Sequence, residues 1–92
     1  MLDISYLSDD QGDKPSFMIH DRDFKFFEPA FLDLKQKTGV YIDPYGKTRV
    51  YPEHQRILIN FLTKDSEDKV VGFVCFLRVS AEEGEVLMAD GD

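Results

Sequence analysis

The side chains best suited to catalysis or metal binding are two histidines, His20 and His54, and one cysteine, Cys75. Each histidine has acidic neighbours: Asp21 and Asp23 beside the first, Glu53 beside the second. A shared metal would need both imidazoles to converge with one of these carboxylates. Neither histidine has a metal-binding spacing such as His-Glu-x-x-His, and His54 opens an apolar helical stripe, where a half-buried, hydrogen-bonded imidazole is the commoner outcome. Cys75 could act as a nucleophile only if partly exposed beside a positive charge. Val74 and Phe76 flank it, so the expectation is a buried structural thiol. The run Asp9-Asp10-Gln11-Gly12-Asp13 lacks the alternating ligands and closing glutamate of a calcium loop and reads as a solvated turn. The six glycines are scattered singly, which leaves no phosphate cradle. No catalytic residue, metal ligand or cofactor site is assigned.

What remains is a set of side chains suited to recognition. Glu82, Glu83, Glu85, Asp90 and Asp92 fall within eleven residues that hold no lysine or arginine. Asp9, Asp10 and Asp13 make a second acidic group. If the first and last strands share a sheet, the two groups can share an edge or face and mimic phosphates or cover a basic surface. Tyr41, Tyr45 and Tyr51, with Arg49, are types enriched at binding hot spots. Tyr45 lies inside a turn and is the hardest of the three to bury. The expected partner-binding residues are Tyr45, Asp43, Arg49, Glu82, Glu83, Glu85 and Asp90.

These residues need elements to hold them. Leu2–Leu7 alternates apolar and polar residues and reads as a half-buried strand, Ser8–Pro15 as a loop, and Ser16–His20 as a second strand completing a hairpin. Asp21–Phe27 fits either an extended segment or an irregular helical start. Pro29 suits a helix's first turn and Gly39 its end, giving a helix over 29–38 with Phe31, Leu34 and Thr38 inward. Asp43-Pro44-Tyr45-Gly46 has type I turn chemistry between the strand-forming stretches Val40–Ile42 and Lys47–Tyr51, which predicts a central turn or hairpin. Pro52 starts a second helix to about Thr63, with His54, Ile57, Leu58, Phe61 and Leu62 on one face. Residues 69–84 suit either a strand or a helix. Helical return of charge at Arg78, Glu82 and Glu83 favours a helix capped by Ser66 and ended by Gly84, with Val70, Phe73, Val74, Leu77 and Ala81 inward. Glu85–Ala89 reads as a last strand. The predicted class is α+β: a small single-layer sheet packed against two or three helices.

Ninety-two residues with 42% hydrophobic content, including eight Phe and four Tyr, suffice for one domain with a modest core. One cysteine excludes an intramolecular disulfide, no apolar leader follows Met1, and no run approaches a membrane span, so a cytoplasmic protein is expected. The formal charge is −7. It is unevenly spread: residues 1–20 carry −3, residues 21–64 carry +2 and residues 65–92 carry −6. No dense Lys/Arg run is present to displace counterions, so a nucleic-acid partner is not expected, and an anionic membrane would be repelled. A basic protein surface suits this field best.

The stretch Lys37-Thr38-Gly39-Val40-Tyr41-Ile42-Asp43-Pro44-Tyr45-Gly46-Lys47-Thr48-Arg49-Val50-Tyr51-Pro52-Glu53-His54, followed by an apolar helix, resembles small cytoplasmic immunity proteins of bacterial polymorphic toxin loci. The resemblance spans about residues 31–62, with Val86–Asp92 similar to the close of that pattern, and does not extend to the N-terminal third. It implies a non-enzymatic protein that binds and occludes a cognate toxin. Two other classes stand beside this expectation: a small hydrolase or metal-dependent enzyme using His20, His54 and nearby acids, and a homo-oligomeric structural or regulatory subunit, such as a homodimer.

Overall fold

The computed structural model describes all 92 residues. In chain order the elements are β1 (Leu2–Tyr6), β2 (Ser16–Ile19), a 3-10 turn (Asp21–Phe26), α1 (Glu28–Thr38), β3 (Lys47–Val50), α2 (Pro52–Leu62), α3 (Asp68–Glu82) and β4 (Leu87–Gly91). The four strands form one antiparallel sheet in the order β2-β1-β4-β3. The fold is α+β. No helix is long and apolar enough to cross a membrane.

Side-chain alternation gives the sheet one buried face. Leu2, Ile4 and Tyr6 of β1 face the helices with Ile19, Val50, Leu87 and Ala89. Phe27, Phe31 and Phe73 fill the space beneath, with edge-on contacts between Phe73 and both other rings. Such aromatic pairs add to the gain from area burial alone. α2 packs against both α1 and α3. At the end of α1, Gly39 takes φ +81° and donates to the Lys35 carbonyl. This left-handed stop is one that a Cβ would strain.

The segment 69–84 is helical, and Val70, Phe73, Val74, Leu77 and Ala81 all point inward. The deciding factor is the second layer: the inward stripe has helical spacing and meets α2, while the central strand position goes to β4. Several local expectations are corrected. The cap of α3 is Glu67 rather than Ser66, and it makes no side-chain cap bond. The last strand is shifted to Leu87–Gly91, because Gly84 and Glu85 close the turn by donating to Ala81 and Ser80 carbonyls. Thr38 is exposed; its hydroxyl donates to the Leu34 carbonyl and accepts from Val40 N–H. Phe61 also lies largely exposed, since Gln55, Leu58 and Leu62 form the inward face of α2.

The central hairpin does not form. Asp43–Gly46 is a turn, with Gly46 N–H donating to the Asp43 carbonyl and Tyr45 N–H to Asp43 Oδ1. β3 then pairs with β4 rather than with residues 40–42. Ile42 is instead buried in the core, and the Thr48 hydroxyl reaches the Tyr41 carbonyl at 3.3 Å.

Candidate functional site

The helices all lie on one side, so the other face of the sheet is uncovered. Strand register places two rows of side chains across it. Met18, Asp3, Asp90 and Lys47 stand side by side, followed by Ser16, Ser5, Met88 and Arg49. Asp3 and Asp90 are cross-strand partners. Like charges directly opposite each other destabilise a sheet. None of Asp3, Asp90, Lys47 or Arg49 forms an ion pair within the chain. Met18 is 50% exposed beside the acids, and a shallow depression is lined by Met1, Asp3, Met18, Asp90 and Asp92.

The expected recognition residues are divided between the two ends of the sheet. Asp90 and Tyr45 belong to the Leu2/Gly91 end of the outer face, with Arg49 further along it opposite Met88. Tyr45 projects from the turn at 77% exposure. Asp43 is exposed, but its carboxylate is spent on the turn, accepting from Tyr45 N–H at 2.8 Å. Glu82, Glu83 and Glu85 sit at the other end, roughly 13 Å away along the strands. There the acidic loop after β1 does meet the acidic turn before β4. Ser8 donates to Glu85 at 3.1 Å, and Lys14 Nζ lies 3.4 Å from it. Asp9 accepts from Asp13 and Lys14 N–H groups, closing its own loop. Burial, with Glu83 and Glu85 adding their charge, raises the Tyr6 phenol above its ordinary range. Asp92 approaches the N-terminal amine, which Asp21 holds at 2.6 Å; that bond to Asp21, foremost, raises the amine's pKa.

His20 and His54 are not brought together. His20 follows edge strand β2 at the Leu2/Gly91 end, whereas His54 follows edge strand β3 at the Tyr6/Leu87 end, so they occupy opposite corners of the sheet. His54 Nδ1 accepts from Tyr51 N–H at 3.2 Å, an N-terminal cap for α2. No group of three or more His, Cys, Asp or Glu side chains is placed to hold a metal ion. Cys75 is exposed, contrary to expectation. The helix turns its thiol away from the buried Val70, Phe73, Val74 and Leu77, and the apolar neighbours in sequence did not reveal which face it occupies.

Two structural residues escaped the sequence reading. Gln55 is fully buried and links three elements. Its Nε2 donates to the Val50 carbonyl at 2.8 Å and the Glu85 carbonyl at 2.9 Å, and its Oε1 accepts from the Ser80 hydroxyl at 2.6 Å. Gly91 donates to the Gly46 carbonyl at 2.8 Å, and a Cβ at this position would lie 2.1 Å from Pro44 O. The Asp43–Gly46 turn and the end of β4 therefore touch at this point. Their only signal was a polar residue inside an amphipathic helix and a glycine inside a strand, both of which have many possible causes.

No protein-family model, curated protein or solved structure matches this chain.

Proposed function

We infer that this is a non-enzymatic binding protein whose outer sheet face and adjoining acidic ends dock on a basic protein surface, as an immunity protein occludes a cognate toxin. The observation that carries this reading is the Asp3–Asp90 pair. Two exposed carboxylates stand as cross-strand partners on the open face, in one row with exposed Met18 and with Lys47 on the far side of Asp90. A cationic group of the partner complements this pair, and the chain's net charge of −7 speeds its approach. Tyr45 supplies an aromatic contact at the rim. Glu82 and Glu83 extend the field from the far end, while Glu85 is partly neutralised by Lys14.

The test is association kinetics with a candidate basic partner, beginning with the product of whichever gene lies immediately upstream. Asp3→Lys with Asp90→Lys should slow association about 10- to 100-fold at low salt, with a smaller effect at high salt. Glu82→Lys with Glu83→Lys should change the rate less. Unchanged kinetics in the Asp3/Asp90 variant would remove the sheet face from the interface.

A further inference from the structure

The register also shows which backbone groups face outward at the sheet's two open edges. Leu7 N–H donates to Val86 O and Asp92 N–H to Met1 O, so odd-numbered residues of β1 bond to β4. Even-numbered ones therefore bond to β2, through the pairs Leu2–Ile19 and Ile4–Phe17. Ser16 and Met18 are left with N–H and C=O groups directed away from the sheet. Apart from the β1 ladder, no hydrogen bond reaches Ser16–Ile19. By the same reasoning, Gly91 N–H bonding to Gly46 O leaves Lys47 and Arg49 outward on the β3 edge.

The two edges are not equivalent. Prolines flank both, Pro15 before β2 and Pro44 and Pro52 around β3, but β3 carries two cations, a feature that blunts an edge against pairing. β2 reads Ser-Phe-Met-Ile and carries no charge. Immediately beside β2 is a pocket of about 110 Å³, walled by Phe17, Ile19 and Phe27. Asp23 and Lys69, paired at 2.7 Å, close its rim. It has room for an aliphatic side chain.

We propose that the free edge of β2 is a strand-addition site for an extended segment of the partner protein, one that places an apolar side chain in the Phe17–Phe27 pocket and a basic side chain on the outer face beside Met18 and Asp3. This rests on the protein-binding reading above and specifies how the partner engages. Backbone pairing gives such complexes affinity, and alternate side chains give them specificity. Charge selects a basic segment, because Asp3 is the neighbour of Met18 in the outer row. A second copy of this chain suits the edge less well. A four-residue strand is roughly 13 Å long and buries far less than the roughly 1,200 Å² of a stable interface, and two chains of net charge −7 repel.

The probe is an acetylated, amidated hexapeptide of alternating lysine and valine, titrated into the ¹⁵N-labelled protein with amide hydrogen exchange as the readout. The Ser16 and Met18 amides should slow by at least about tenfold at saturation, as each gains a strand hydrogen bond. Met18→Pro removes an outward N–H without touching the β1 ladder, a substitution edge strands tolerate. It should weaken binding at least about tenfold, whereas Met18→Ala should retain most of it. Shifts confined to Asp3 and Asp90, with Ser16 and Met18 still exchanging, would overturn the edge site while leaving the charged-face reading intact. So would absence of peptide binding, or protection of Ser16 and Met18 by self-association without peptide. If Met18→Pro does not fold, exchange in the unmodified protein decides the matter.

Discussion

Replacing Gln55 with leucine removes the link between α2, the end of β3 and the turn before β4. The swap nearly conserves volume, so the change is chiefly the loss of three hydrogen bonds, two buried (to Val50 O and Ser80 Oγ) and one part-buried (to Glu85 O). Each bond contributes about 1 kcal/mol net, which gives a loss of about 3 kcal/mol. The Glu85 carbonyl has no other partner, so its desolvation raises the cost, while the gain from a more apolar side chain lowers it. At roughly 4–8 °C per kcal/mol for a domain of this size, the melting temperature should fall by roughly 12–24 °C. Urea denaturation gives the free energy directly. Ser80→Ala in the same background should cost less than it does alone, by about 1 kcal/mol, because the Gln55–Ser80 bond is already gone. A destabilisation below about 1 kcal/mol, with full additivity, would show that the buried amide is not the joint described here.

Gly91→Ala should destabilise by about 2–3 kcal/mol, since the added methyl meets the Pro44 backbone and must push the Asp43–Gly46 turn off β4. A fold unchanged in stability, with the Gly91 amide still protected from exchange, would contradict that contact. Asp23, 8% exposed, is held below the ordinary carboxylate range chiefly by its hydrogen bond from Lys69, with burial opposing. A lowered folded pKa means that its stabilisation is present above the unfolded value and lost as pH falls through the folded one. Asp23→Asn should therefore be less stable than the parent at pH 7, and the gap should close as pH drops below about 4. A gap independent of pH, followed by thermal melts from pH 2 to 7, would argue against the ion pair.

The sequence by itself determined most of the elements. Alternation in Leu2–Tyr6, proline at the start of α1 and α2, and the Gly39 and Gly84 stops act through local backbone geometry and side-chain period, which a linear reading contains. The helical stripe of Val70, Phe73, Val74, Leu77 and Ala81 was legible for the same reason, against the strand propensity of its valines. Of the recognition residues, only the exposure of Tyr45 followed from its turn. Tertiary structure decided which strands meet. By entering between β1 and β3, β4 denied residues 40–42 a hairpin partner, set Asp90 beside Asp3, and separated both from Glu82–Glu85. It also decided that Cys75 faces solvent and that Gln55 is buried. Such pairings join residues up to 89 positions apart, as in Leu2 with Gly91. They depend on how the apolar faces of all the elements fit one core, and no local window carries that information.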